Sequence, residues 1–243
     1  MSWYKDWFNS ENYLKVYSHR DESEAARLIG LIVQSLSIKS DSKILDMACG
    51  SGRHAVIFAK KGFDVTAVDL SQRLLSEANE NAHQNGVIVD FVLSDILEFE
   101  TKKKFNLVLN LFTSFGYFDN DEENFHVILK AYELLTDGGY FVIDYFNRNY
   151  LLKNLIPTSV FSENGLRITQ KRSIQENRVV KNISIDGNGL VEEFYESVRL
   201  YSYDEMIASI KKAGFIILKE YGDYYGNTFN KESSPRLIIF AKK

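Results

Sequence analysis

The sequence predicts an α/β fold, and three observations predict it. Short β-branched, apolar runs alternate with amphipathic helical stretches as far as Tyr145, the pattern of strand-helix-strand units in a parallel sheet. The first strand run, Ile44-Leu45-Asp46-Met47, leads through a glycine turn, Ala48-Cys49-Gly50-Ser51-Gly52, directly into a helix. From about residue 159 the alternation gives way to long runs with turn residues between them, which reads as an antiparallel β-meander. Residues 1–243 are therefore expected to form one domain, with residues 1–21 as an N-terminal lid or brace and residues 159–201 as a β insert.

With 243 residues, 45% of them hydrophobic, the chain can bury a full core without disulfides or metal. Its single cysteine, Cys49, excludes an internal disulfide and suits a reducing cytoplasm. No secretory leader is expected, and no run approaches the roughly 18 consecutive apolar residues of a membrane span. A net charge of -4 and a pI near 5.7 argue against a nucleic-acid partner, whose phosphates call for a basic face. The 14 tyrosines and 17 phenylalanines suit a core plus a pocket that grips a flat or apolar ligand.

In chain order, Trp3, Tyr4, Trp7, Phe8, Tyr13 and Tyr17 come first, as an aromatic segment that either braces the body or closes over a ligand. A helix over residues 22–36 sets Ala25, Leu28, Ile29, Ile32 and Leu36 on one face. Strands follow over residues 43–47 and 63–69, separated by a helix from Arg53 to Lys61 that Gly62 stops. Ser71 caps a helix carrying Leu74, Leu75 and Ala78 and ended by Gly86. Residues 87–93 and 105–109 are the third and fourth strands, and Lys102 to Lys104 form a solvated turn. Asp119, Asn120 or Asp121 caps the next helix, with Phe125, Ile128, Leu129, Tyr132 and Leu135 on its buried face, and Tyr140 to Tyr145 is the fifth strand. Within the insert, residues 166–174, 178–185 and 190–201 read as strands about the turn Asp186-Gly187-Asn188-Gly189. Ser202-x-x-Glu205 is a capping box opening a helix with Met206, Ile207 and Ile210, and residues 215–221 and 236–241 are the last strands.

Gly50 and Gly52 let the backbone turn sharply and approach a ligand at the start of the next helix. Gly50-x-Gly52-x-x-Ala55 also satisfies the dinucleotide fingerprint, so the ligand class rests on Asp46. A carboxylate at the strand's end repels a pyrophosphate and attracts a cation. Asp69 follows Gly52 by 17 residues, near the roughly 20 expected of an acid that binds ribose hydroxyls.

The run from Ile44 to Ala55 resembles motif I of the class I S-adenosylmethionine-dependent methyltransferases, in which an acid precedes a G-x-G turn. The order of elements is similar to that family's over essentially the whole chain. The resemblance implies a seven-stranded, mostly parallel Rossmann-like sheet with helices on both faces, a reversed last strand, and a small antiparallel β insert after the fifth strand. It implies S-adenosyl-L-methionine as cofactor, held by Asp46, Ala48, Gly50 and Gly52 at the first turn and by Asp69 and Leu70 at the second strand. Ser94, Asp95 and Ile96 would hold it after the third strand, with Asp95 on the adenine amino group, and Asn110 at the end of the fourth. Tyr17 and Arg20 match a tyrosine and an arginine found upstream of motif I in several small-molecule methyltransferases, where the arginine pairs with the methionine carboxylate.

The acceptor side starts from Asn110-Leu111-Phe112-Thr113-Ser114-Phe115-Gly116-Tyr117-Phe118. Amine-methylating nucleic-acid enzymes carry Asp/Asn-Pro-Pro-Tyr/Phe here; Asn110 is present and both prolines are missing. Cys49, inside the glycine turn, cannot serve as the nucleophile of a cytosine-C5 enzyme. An aromatic, hydroxyl-bearing wall remains, and a small-molecule N- or O-nucleophile is the expected acceptor. The alternatives are an RNA or protein methyltransferase of the same fold, an NAD-dependent oxidoreductase motivated by Gly50, Gly52 and Ala55, and a cofactor-binding protein without activity. Asp144, Asn147, Tyr224, Tyr225, Asn227 and Arg236 fall where an acceptor could be touched. No catalytic base stands out, and His54 is read as a side chain bonded to local backbone. His19, His54, His83 and His126 lack metal-ligand spacing, so no metal is expected. The insert is placed either to shape the acceptor pocket or to form a homodimer through an exposed edge.

Overall fold

The computed structural model describes residues 3–17, 22–187 and 189–243. Two short helices, α1 (Trp3–Asn9) and α2 (Glu11–Val16), precede α3 (Glu22–Ser35). The alternating part follows as β1 (Lys43–Met47), α4 (Arg53–Lys60), β2 (Asp64–Asp69), α5 (Gln72–Gln84), β3 (Asp90–Leu93), β4 (Phe105–Asn110), α6 (Asp121–Leu134) and β5 (Leu135–Phe146). Then come α7 (Arg148–Asn154) and four insert strands, β6 (Thr158–Glu163), β7 (Leu166–Gln175), β8 (Arg178–Gly187) and β9 (Leu190–Arg199). The chain closes with α8 (Tyr203–Lys212), β10 (Ile216–Tyr221) and β11 (Arg236–Lys242).

Seven strands lie in the order β10-β11-β5-β4-β1-β2-β3, with β11 antiparallel to both of its neighbours and β1 to β5 parallel. The chain thus departs from β1 in both directions, toward β2 and toward β4. That reversal of winding opens a crevice at the carboxyl ends of β1 and β4. The strands are apolar on both faces because both are covered. Ile44, Leu107, Val142 and Phe240 pack under Leu28, Ile29 and Ile32 of α3, Phe58 of α4 and Leu75 of α5. Leu45, Met47, Val108, Phe141 and Ile143 pack under Val127, Ile128 and Ala131 of α6 and Met206 and Ile210 of α8. Among the described residues no helix is long and apolar enough to cross a membrane.

The structure adjusts several boundaries. Val87 still bonds back to Ala82 as the chain leaves α5, so the third strand starts at Asp90, paired with Thr66. The sixth helix ends at Leu134; Leu135 instead pairs with Phe105 in the sheet, and Leu129 is 43% exposed. The inward stripe uses Asn124 in its place, whose side chain bonds the Phe118 backbone through both its oxygen and its nitrogen. Asn120 is the cap of that helix, and Ser71 and the Ser202/Glu205 box cap theirs. The insert holds a fourth strand, β6, whose polar Thr158-Ser159 and Ser162-Glu163 flank only two apolar residues and so hide it in the sequence.

A third apolar cluster joins the N-terminal helices to the insert. Trp3, Tyr4, Trp7 and Phe8 of α1 pack on Ile168, Ile183 and Ile185, and Ser71 Oγ donates to the Phe8 carbonyl at 2.8 Å. The described part of this segment thus packs between the insert and the body. The insert in turn grips the loop after β4: Arg178 donates to the carbonyls of Gly116, Tyr117 and Phe118, and Arg199 N to Gly116 O at 2.8 Å. Gly116 is needed there, since its φ is +90° and a Cβ would lie 3.2 Å from the Arg199 carbonyl.

Candidate functional site

The crevice is a cavity of about 510 Å³ walled by Ala48, Gly50 and Asp69 from the sheet side, by Leu111, Phe112 and Tyr117 from the loop after β4, and by Phe8, Tyr13 and Tyr17 from the N-terminal helices. A side cleft of about 50 Å³, lined by Leu70, Ser94, Asp95 and Ile96, continues it past the shared residues Phe8, Ala48, Asp69, Ser114 and Tyr117. A further cavity of about 260 Å³ lies on the other side of Tyr17, Phe112 and Tyr117, between the end of β5, α7 and the insert. The two chambers therefore meet across three aromatic rings.

The glycine turn is built for closeness. Ala48 has φ +60° and Gly50 φ +57°, and on the facing loop Phe112 and Thr113 have φ +59° and +64°. Three non-glycine residues in the left-handed region, all lining a cavity, concentrate backbone strain at this spot. The two motif glycines differ in role. Gly50 lines the large chamber, and a Cβ there would meet nothing within 4 Å. Gly52 does not line it; its absent Cβ would sit 2.9 Å from Ala78 and 3.2 Å from Phe91, so it lets α4 settle against α5 and β3.

Asp69 is 7% exposed and takes Gly50 N at 2.8 Å on one oxygen and Ser71 N at 2.9 Å on the other. Burial raises its pKa, against the backbone N–H groups that lower it. Asp46 is 1% exposed, its Oδ2 has no hydrogen-bond partner among the described residues, and its pKa is pushed up to about 7, first by burial and next by the charge of Asp69, with Arg53 opposing. An acid left unsatisfied under a strand end is costly, and a cation facing it relieves that cost.

Among the other sequence-predicted residues, Tyr17, Ala48, Leu70, Ser94, Asp95 and Ile96 line the chambers. Asn110 lies outside the lining, fully buried, donating to the carbonyls of Ser114 and Met47 and thereby tying the end of β4 to that of β1. Arg20 lies outside the described residues. His54 is buried in the wall of the large chamber, 6.4 Å ring to ring from Phe112.

Of the acceptor-side expectations, Arg236 lines the smaller chamber, 2.7 Å from the fully buried Asp144. That carboxylate also takes Phe112 N and the Tyr224 hydroxyl, both at 3.0 Å, so Asp144 and Tyr224 hold the strained loop rather than line either chamber. Asn147 is consumed by capping α7 and by the carbonyls of Lys231 and Ser234. Tyr225 is 72% exposed on Arg27, and Asn227 bonds Asp223, so neither reaches the chambers. Sequence reasoning missed Arg172, Lys181 and Glu196 of the insert, which complete the smaller chamber. Their signal was present only as a register, since no motif marks them.

Set beside known proteins, residues 38–216 match the model of a family described as a methyltransferase domain. A protein of Geobacillus sp. (strain WCH70), named as a methyltransferase, is 28% identical over 210 residues, 83% of this chain and 84% of that one. A glycine/sarcosine N-methyltransferase of Halorhodospira halochloris is 30% identical over 120 residues, 49% of this chain and 44% of its own. An S-adenosylmethionine-dependent methyltransferase from Clostridium acetobutylicum superposes with a TM-score of 0.82 at 21% identity over 95% of both chains. The CcbJ methyltransferase from Streptomyces caelestis does so at 0.81 and 17%, over 97% of this chain and 96% of its own. At those identities the two structures are likenesses of fold.

Proposed function

The chain belongs to the methyltransferase-domain family, and from that premise we propose that it transfers a methyl group from S-adenosylmethionine to a nitrogen or oxygen of a small acceptor. The observation that carries the reading is Asp46, a buried carboxyl with an unpartnered oxygen and Asp69 as its neighbour. Such a pair fits a cationic nucleoside and disfavours a pyrophosphate, and family membership sets aside the oxidoreductase reading of Gly50, Gly52 and Ala55.

Asp46 and Asp69 supply the negative field, and Asp69, already oriented by two backbone N–H groups, keeps lone pairs for a ribose diol. Leu70, Ser94, Asp95 and Ile96 form the slot for a flat base. Tyr4, Phe8 and Tyr13 roof the large chamber and its side cleft and exclude water. When bound, S-adenosylmethionine supplies an electrophilic methyl group on a sulfonium. The protein's remaining task is alignment across the Tyr17, Phe112 and Tyr117 partition, because in-line displacement rewards near-attack geometry above all. Glu196 is held ionised by Lys181 and takes hydrogen bonds from Trp7 and Tyr17, so it anchors the roof and is a poor proton acceptor. An amine acceptor needs no protein base once its proton has left to solvent. A chamber of only about 260 Å³ between the body and the insert supports a small acceptor over RNA or protein.

The test is direct. S-adenosylhomocysteine at 100 times its dissociation constant should stabilise the fold by about 2.7 kcal/mol, raising the melting temperature by roughly 5 to 10 °C. S-adenosylmethionine should then yield S-adenosylhomocysteine in the presence of a small amine or hydroxyl acceptor. No shift with S-adenosylhomocysteine, alongside a shift with NAD, overturns the assignment.

A further inference from the structure

The insert presents a row of charges to the acceptor chamber. In the β-sheet register Arg172 on β7 lies opposite Lys181 on β8, and Lys181 lies opposite Glu196 on β9. All three line the chamber. Lys181 and Glu196 form an ion pair at 2.6 Å, which matches one base with one acid. Arg172 is the odd member. Its Nη1 donates to Ser159 Oγ at 3.1 Å and to the Ile156 carbonyl at 3.4 Å, and its Nη2 to Gln170, all of them neutral. Among the described residues its Nε makes no hydrogen bond and no carboxylate pairs with it.

Like charges directly opposite each other on neighbouring strands are destabilising, and the Arg172 and Lys181 pair is kept in a recess where water screens it less than on an open face. The third base in the lining, Arg236, is matched by Asp144 at 2.7 Å. Pairing off Lys181 with Glu196 and Arg236 with Asp144 leaves one guanidinium, with its fork only partly used, in an otherwise acidic protein of net charge -4. Phe146, Leu151 and Leu155 supply apolar surface to the same chamber.

We propose that the methyl acceptor carries an anionic group, a carboxylate or a phosphate, and that Arg172 receives it at the end of the chamber formed by the insert. Guanidinium groups bind both oxyanions through paired N–H donors, which gives orientation as well as attraction. An acceptor held there by its anion points its nucleophile away from β7, toward the aromatic partition and the cofactor chamber beyond it. The inference rests on the methyl-transfer reading above and names its substrate class.

The experiment uses the full chain saturated with S-adenosylhomocysteine and titrated calorimetrically with two matched pairs: glycine against glycinamide, and O-phosphoethanolamine against ethanolamine. At least one anionic member should bind 10-fold or more tightly than its uncharged-end counterpart, and the pair that shows the preference tells carboxylate from phosphate. Arg172→Lys, which keeps the charge, should retain most of the preference, and Arg172→Gln, which keeps hydrogen-bonding capacity without charge, should lose it. S-adenosylhomocysteine should bind both variants as it binds the parent, because Arg172 lies outside the cofactor chamber, and that affinity also reports their folding. Equal affinities within both pairs, no binding by any anion, or a preference that survives Arg172→Gln overturns the inference and leaves the methyl-transfer reading standing. Failure of the parent protein to bind S-adenosylhomocysteine removes that reading and the inference with it.

Discussion

At the carboxyl ends of β1 and β4 the larger chamber has acids behind it, Asp46 and Asp69, and acids at its rim, Glu22 and Glu77, whereas the smaller one across the aromatic partition is lined by Arg172, Lys181 and Arg236. In the first, burial and the charge of Asp69 raise the pKa of Asp46 against Arg53 and one Asp46 oxygen stays unpartnered, and acids outnumber bases in its described lining. The bases of the second are neutralised one by one until Arg172 remains, so it is short of negative charge. Under the proposed reading, the difference teaches that a single sheet end can sort two ligands by sign, with the β1 and β2 tips facing the donor and the insert facing what the donor reacts with.

Removing Glu196, the one acid that lines the second chamber among the described residues, should have the largest effect. Glu196→Ala removes the carboxylate paired with Lys181 beside Arg172 and releases Trp7 and Tyr17 from their shared acceptor. Breaking a buried pair from one side costs about 3 to 5 kcal/mol, to be read in urea unfolding, and Lys181→Met in the same chain should restore much of it. A loss below about 1 kcal/mol, the range of exposed pairs, would show the row to be screened by water and would weaken the contrast between the chambers. The pH response has a sign as well. Lys181 holds the Glu196 carboxyl below its usual range, so its stabilisation is present above the ordinary carboxylate pKa and fades as the pH falls through the lowered value.

The glycine turn separates geometry from charge. Gly52→Ala should cost about 1 to 2 kcal/mol for a left-handed alanine and about 1 to 3 more for pushing on Ala78 and Phe91. Gly50→Ala should cost the first amount alone, because the space beyond it is open. Equal losses in thermal unfolding would contradict the two roles. Asp69→Ala should act on the ligand, removing charged hydrogen bonds worth about 1.5 to 3 kcal/mol, an S-adenosylhomocysteine affinity loss of roughly 10- to 150-fold. Normal binding by that variant would refute its assigned role.

The larger chamber was legible because its walls are local. Strand, acid, glycine turn and helix are contiguous from Ile44 to Ala55, and Asp69 ends one strand and Asp95 follows another, each marked by its apolar run. The smaller chamber was not, because it is made by register. Arg172, Lys181 and Glu196 are 9 and 15 residues apart and meet only when three hairpin strands align, and a one-residue slip would turn all three to the other face. Asn147 and Tyr224 misled for a related reason: both sit near the right strand ends, and backbone carbonyls or Asp144 claim their polar atoms. Ala48, Phe112 and Thr113 gave no warning of positive φ, since none is a residue type that favours it.

The finest test of the two-sign arrangement is the pH dependence of donor binding. Asp46 stands near a pKa of about 7 in the ligand-free chain, so below that pH it is mostly protonated and must lose a proton before it can face a cation. S-adenosylhomocysteine affinity should therefore rise with pH and level off above about 7, with a gain of roughly 10-fold between pH 6 and pH 8. The ligand-free fold runs the other way: a raised acid stabilises below its unfolded pKa and loses that contribution as the pH climbs to the folded value. Asp46→Asn should flatten the binding profile and, at pH 8, melt above the parent protein when no ligand is present, because a neutral amide replaces an unpaired buried charge. A binding profile in the parent that is flat from pH 6 to 8, or one that Asp46→Asn leaves sloping, would mean that another group sets the sign of the first chamber.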